Sequence, residues 1–109
     1  MTTENEHSAD VPDVSECATY LKALGDPIRL QIVKALQAGP LSVSDLALLL
    51  EMEMANVSHH LRVLFHADLV STQREGRHIY YQLNCDFQKK SRAASSSLDF
   101  GCCRIDLRN

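Results

Sequence analysis

The chain predicts a mainly α fold closed by a single β-hairpin, on three observations. Apolar residues recur at helical spacing in short blocks between residues 14 and 65, each bounded by capping or breaking residues. From residue 69 to 83 the pattern changes to two β-prone arms around Glu75-Gly76. Directly ahead of that hairpin, two helical blocks are separated only by a tight connection at residues 51–53. Together these describe a helix-turn-helix followed by a wing.

The first helix is expected from about Val14 to Leu24, with Cys17, Tyr20, Leu21 and Leu24 on one apolar stripe and Gly25 as its stop. Asp26-Pro27 then opens a second, Asp26 as N-cap and Pro27 in the first turn, where a missing N–H costs nothing. Ile28, Ile32, Val33 and Leu36 form its buried face, and Gly39-Pro40 ends it. Ser42 with Asp45 three residues on has the form of a capping box for a short helix through Leu50. In the next helix Leu61, Leu64 and Phe65 lie within about 80° of Val57, at about 100° per residue. Ala55, His59, Arg62 and His66 oppose them, flanked by Asn56. A last helix is expected over residues 86–97, with Cys85 at its start.

A length of 109 residues suits one domain. Hydrophobic residues make up 45% of it, with three Tyr, three Phe and no Trp, so the core should be Leu, Val, Ile and Ala. No apolar run approaches the roughly 20 residues of a membrane span. The opening MTTENEHSAD is acidic and polar, the opposite of a signal peptide. The expectation is a cytoplasmic protein without a membrane partner, in a compartment that keeps thiols reduced. Residues 1–12 read as a flexible acidic arm, 13–97 as the winged helix-turn-helix domain, and 98–109 as a cysteine-containing tail.

The net charge of −3 argues weakly against nucleic acid, but its distribution matters more. Residues 1–21 hold Glu4, Glu6, Asp10, Asp13 and Glu16 and no Lys or Arg. From Pro27 onward ten basic residues face eight acidic ones. A helix with one apolar side and a side of amide, imidazole and guanidinium groups suits a major groove, where those groups reach base edges and phosphates. An ordinary amphipathic surface helix has the same periodicity. The hairpin after it, with Arg74, Arg77 and His78 beside its tip, shifts the balance to double-stranded DNA as the partner.

LGDPIRLQIVKAL at 24–36, LSVSDLA at 41–47, NVSHHLRVL at 56–64, ADLV at 67–70 and REGRHIYY at 74–81 resemble, in order and spacing, blocks of the ArsR/SmtB family. The likeness runs over about residues 14–95. It implies a dimeric winged helix-turn-helix repressor that releases palindromic operator DNA when a metal, metalloid or oxidant reaches it. By that resemblance the helix starting near Glu53 is the recognition helix. The DNA-contacting positions are then Asn56, Ser58, His59 and Arg62, with Arg74 and Arg77 on the wing. His60 lies nearer the apolar stripe and reads as structural. The helix departs from the family at Glu53-Met54-Ala55, where a poor cap precedes a side chain without a hydrogen bond for a base.

Family members that place cysteines at the start of the recognition helix are not matched, since LLLEMEM at 48–54 holds no thiol. DFQKKSRAASSS at 86–97 holds no His for the site that zinc sensors build on their last helix. An inducer site must therefore draw on Cys17, Cys85, Cys102 and Cys103. Adjacent Cα atoms lie about 3.8 Å apart, short of the roughly 4.4 to 6.8 Å that a disulfide prefers, which disfavours a Cys102–Cys103 bond. A turn at Gly101 would instead bring both sulfurs to one ion. The family's first and last helices form much of its dimer interface, which makes Cys17 the third ligand and Cys85 less suited. Three soft thiolates fit As(III) or Sb(III) in a three-coordinate pyramid, whereas zinc wants a fourth ligand. The tail also resembles the vicinal-cysteine ends of some arsenic-responsive members. Zn(II) or Cd(II) on four thiolates, a thiol oxidant, or no inducer at all are the alternatives, as is a winged-helix protein-interaction module without DNA binding.

No enzyme is expected. No Asp is placed to orient an imidazole of the Ser58-His59-His60 run, and the four glycines are isolated, without a phosphate loop.

Overall fold

The computed structural model describes residues 14–84, 97–101 and 103–107. Four helices lead: α1 (Val14–Leu24), α2 (Pro27–Leu36), α3 (Val43–Leu50) and α4 (Met54–His66). A two-residue strand β1 (Leu41–Ser42) precedes α3; β2 (Val70–Glu75) and β3 (His78–Leu83) form the wing, and β4 (Ser97–Asp99) and β5 (Arg104–Asp106) a second hairpin.

The helix starts are local chemistry. The Asp26 carboxylate accepts from the N–H groups of Ile28 (2.8 Å) and Arg29 (3.2 Å), satisfying two orphan donors of α2. At α3 the box closes both ways: the Asp45 N–H donates to Ser42 Oγ, and the Ser42 N–H donates to the Asp45 carboxylate, each at 3.1 Å. The tight connection works because Glu51 takes a left-handed conformation (φ 56°, ψ 50°) and the Met52 N–H bonds the Ala47 carbonyl at 3.0 Å. Asp68 (φ 65°) ends α4 in the same way, with the Leu69 N–H on the Leu64 carbonyl at 3.0 Å.

β1 is not legible in the sequence, where Ser42 serves only as a cap. Leu41 and Ser42 pair with Tyr81 and Tyr80, so the sheet has three strands in the order β1-β3-β2. The wing register runs from Val70↔Leu83 to Glu75↔His78. Its two turn residues are therefore Gly76 and Arg77, with Gly76 supplying the positive φ (63°) a tight hairpin needs.

One core joins all of this. Leu24, Ile32, Val33, Leu36, Leu46, Val57, Leu61, Leu64, Leu69, Val70 and Leu83 are buried together, and Leu98 and Phe100 join them from the second hairpin. Two apolar assignments are corrected. Leu21 is exposed, so the α1 stripe narrows to Cys17, Tyr20 and Leu24. Phe65 is 43% exposed and stands edge-on to His66, because about 80° from the stripe centre is already past the rim of the core. Ser97 is corrected too: it opens β4 rather than ending a helix. The rest of the expected last helix, and Cys85, lie outside the described residues.

Candidate nucleic-acid interface and thiol cluster

The seat of α4 is apolar and dry. Val57, Leu61 and Leu64 have no solvent exposure, so the opposite face is held in a fixed orientation by three anchors about one turn apart. On that face Asn56, His59, Arg62 and His66 are exposed along with Ala55, and Ser58 is half-buried at its edge. These are amide, imidazole, guanidinium and hydroxyl groups, the set that bonds base edges and phosphates. On the wing Arg74, Arg77 and His78 are all exposed. Arg74 pairs across from Ile79, close to the turn that carries Arg77, so two cations sit at the free end of the hairpin.

His60 is half-buried, and Arg29 NH1 lies 3.2 Å from its Nδ1. The same Arg29 donates through Nε to the Ala23 carbonyl at the end of α1. Desolvation acts to raise the Asp26 carboxyl, but the N–H donors of Arg29 and Ile28 and the charges of Arg29 and His60 outweigh it, holding the group below its ordinary value. The result is a polar joint linking the end of α1, the start of α2 and the middle of α4. Sequence reasoning reaches His60 as structural but misses its partner, 31 residues away, because nothing local marks such a pair.

The cysteines divide. Cys17 is 8% exposed on the inner side of α1 and is disulfide-bonded. Cys103 is a half-buried free thiol packed against the core. Cys102 and Cys85 lie outside the described residues. Among the described residues no three His, Cys, Asp or Glu side chains converge as a metal site.

Two interactions fix where the C-terminal segment sits. Phe100 is 1% exposed and stacks on Tyr20 of α1, with ring centroids 5.1 Å apart. The turn between β4 and β5 is closed by the Phe100 N–H on the Cys103 carbonyl at 2.9 Å and by the Gly101 N–H on the Asp99 carboxylate at 2.9 Å. Tyr20 follows Cys17 by three residues, about one helical turn, and Phe100 precedes Cys103 by three. The buried end of the tail is thus brought beside the cysteine-bearing helix within one chain.

Residues 26–72 match the family described as "Bacterial regulatory protein, arsR family". The chain is 46% identical over 74 residues to the HTH-type transcriptional regulator NmtR of Mycobacterium tuberculosis, an alignment covering 68% of this chain and 62% of that protein. To the arsenical resistance operon repressor of Staphylococcus xylosus it is 39% identical over 72 residues, 66% of this chain and 69% of the repressor. Among solved structures it resembles a homodimeric winged helix-turn-helix DNA-binding domain from Mycobacterium bovis, with a TM-score of 0.64 and 32% identity over 67% of this chain and 68% of that one.

Proposed function

Because the chain belongs to the ArsR family of bacterial regulatory proteins, we propose that it is a transcriptional repressor that binds a palindromic operator as a homodimer. The observation that carries this is the pairing of an apolar-anchored α4, exposing Asn56, His59 and Arg62, with a hairpin whose exposed tip bears Arg74 and Arg77. Helix α4 enters the major groove, with Asn56, Ser58, His59 and Arg62 at bases and phosphates, and the wing lies along the adjacent backbone. Gel shifts on a selected operator test it. Salt-dependent binding of one preferred sequence by a dimer is the expected result; no duplex binding at any salt overturns it, and leaves the interaction-module alternative standing.

The inducer proposed is As(III) or Sb(III), held by the thiolates of Cys17, Cys102 and Cys103 once Cys17 is reduced. Support comes from the Tyr20–Phe100 stacking, which draws α1 and the vicinal-cysteine segment together, and from the softness of an all-sulfur set. The arsenical repressor among its relatives is consistent with that chemistry.

A second reading, a thiol oxidant as the signal, is favoured by the disulfide at Cys17. In it two thiols give up two protons and two electrons to an oxidant such as a peroxide, and the new S–S bond alters the seat of α1. One experiment separates the readings. Reduced protein on operator is titrated with arsenite, zinc or peroxide, in the wild type and in Cys17→Ser, Cys85→Ser and Cys102→Ser/Cys103→Ser variants. Release by arsenite that needs Cys17 and the tail pair upholds the metalloid reading. Release by peroxide and not arsenite moves the assignment to the oxidant, and release by zinc to a four-thiolate site.

A further inference from the structure

We propose that the first turn of α4 reads the 5-methyl group of a thymine in each half-site, through Met54 assisted by Ala55. The inference rests on the DNA-binding reading above and adds to it the base that the front of the recognition helix selects.

Met54 is the first residue of α4 and is 53% exposed, and Ala55 beside it is exposed as well. Exposure of a methionine is informative here because its near neighbour behaves differently. Met52, two residues earlier, is half-buried and packs against the core, whereas Met54 is absent from that packing. Met54 is therefore not core filler. Nor does it serve the helix start: Glu53 is the N-cap and makes no side-chain capping bond, so this turn carries neither a side-chain hydrogen bond from its cap nor a buried anchor before Val57.

In a helix-turn-helix the N-terminal residues of the recognition helix are the ones that approach base edges. A thioether is at best a weak acceptor, and the alanine methyl is none, so this turn has little to offer the donors and acceptors of A, G or C. The one apolar group that the major groove presents is the thymine 5-methyl. A flexible, polarisable methionine closes on such a group without a demanding geometry. The polar residues Asn56, His59 and Arg62 then follow along the same helix, so hydrogen-bond readout begins where the apolar turn ends.

The test changes the DNA rather than the protein first. An operator is selected from random duplexes, and each thymine in both half-sites is replaced singly by deoxyuridine, which removes only the methyl. At one position per half-site the wild type should lose roughly fourfold in affinity, the worth of one buried methyl. In Met54→Ala, whose exposed position spares the fold, the deoxyuridine penalty at that position should shrink or vanish while the rest of the operator preference persists. A wild type indifferent to deoxyuridine at every thymine overturns the proposal. So does an equal penalty in wild type and Met54→Ala. Both outcomes leave specific operator binding intact and so differ from failure of the DNA-binding reading, in which no duplex is preferred and both fall together.

Discussion

Arg29 binds three elements through one side chain, and its neighbours determine what acid does to the protein. The Asp26 carboxyl is held below its ordinary value of about 3.8 in the fold and regains that value on unfolding. A depressed acid contributes stability that is fully present above the unfolded value and is lost as pH falls through the folded one. Asn caps a helix nearly as well as Asp but carries no charge. Asp26→Asn should therefore flatten the acid limb, its urea midpoint falling less than the wild type's between about pH 5 and pH 3. An identical fall in both proteins would show that this carboxylate does not set the limb. On the DNA side, Arg62→Ala should weaken operator binding without moving the thermal midpoint, because Arg62 is exposed and opposite the anchors. Arg74→Ala or Arg77→Ala should weaken binding to all duplexes about equally, and lower the salt slope by about 1 for each phosphate that is no longer neutralised. Unchanged affinity in all three variants would remove α4 and the wing from the interface.

At the level of the element, two segments do more than their local pattern requires. Ser42 caps α3 and also pairs with Tyr80, so one residue ends a strand and starts a helix. Ser42→Ala should cost about 1 kcal/mol through the cap alone, read as a lower denaturant midpoint at unchanged slope. Phe100 carries the C-terminal hairpin into the core. Phe100→Ala should cost about 3 to 5 kcal/mol if the cavity does not collapse. A loss near zero would mean that the hairpin is dispensable to the domain. The helix bounds of α1 and α2 are legible because their caps and stops are local: Gly25, the Asp26-Pro27 pair and Gly39-Pro40 act within a turn of where they stand. β1 is not, because a two-residue strand has no periodicity and exists only through its partner β3.

For the whole molecule, a homodimer should place two copies of α4 in successive major grooves. The half-sites should then lie about one helical turn apart, about 34 Å centre to centre. Inserting about five base pairs between half-sites puts them on opposite faces of the duplex and should abolish tight binding, whereas a monomeric reader would tolerate it. An inducer of the proposed kind would act by preferring a dimer geometry that misplaces those helices, since a ligand shifts an equilibrium by its differential affinity for the two states. Cys102→Ser/Cys103→Ser should accordingly keep repression and lose release by arsenite. Normal arsenite release from that variant would rule out the tail as the sensor.

The sequence by itself determined the order of the helices, their caps, the wing and the polar face of α4. Each follows from interactions within about four residues or from a period that one strand or helix repeats. It also carried the family, since five blocks at fixed spacing constrain the same fold. Tertiary structure decided the rest. Periodicity placed Leu21 and Phe65 on the apolar side of their helices, and only the packing of neighbouring elements decided that they face solvent. The Arg29–His60 joint and the stacking of Phe100 on Tyr20 both depend on residues far apart in the chain. Pairings of that kind leave no local signature, because what selects them is the shape of the core the whole chain makes.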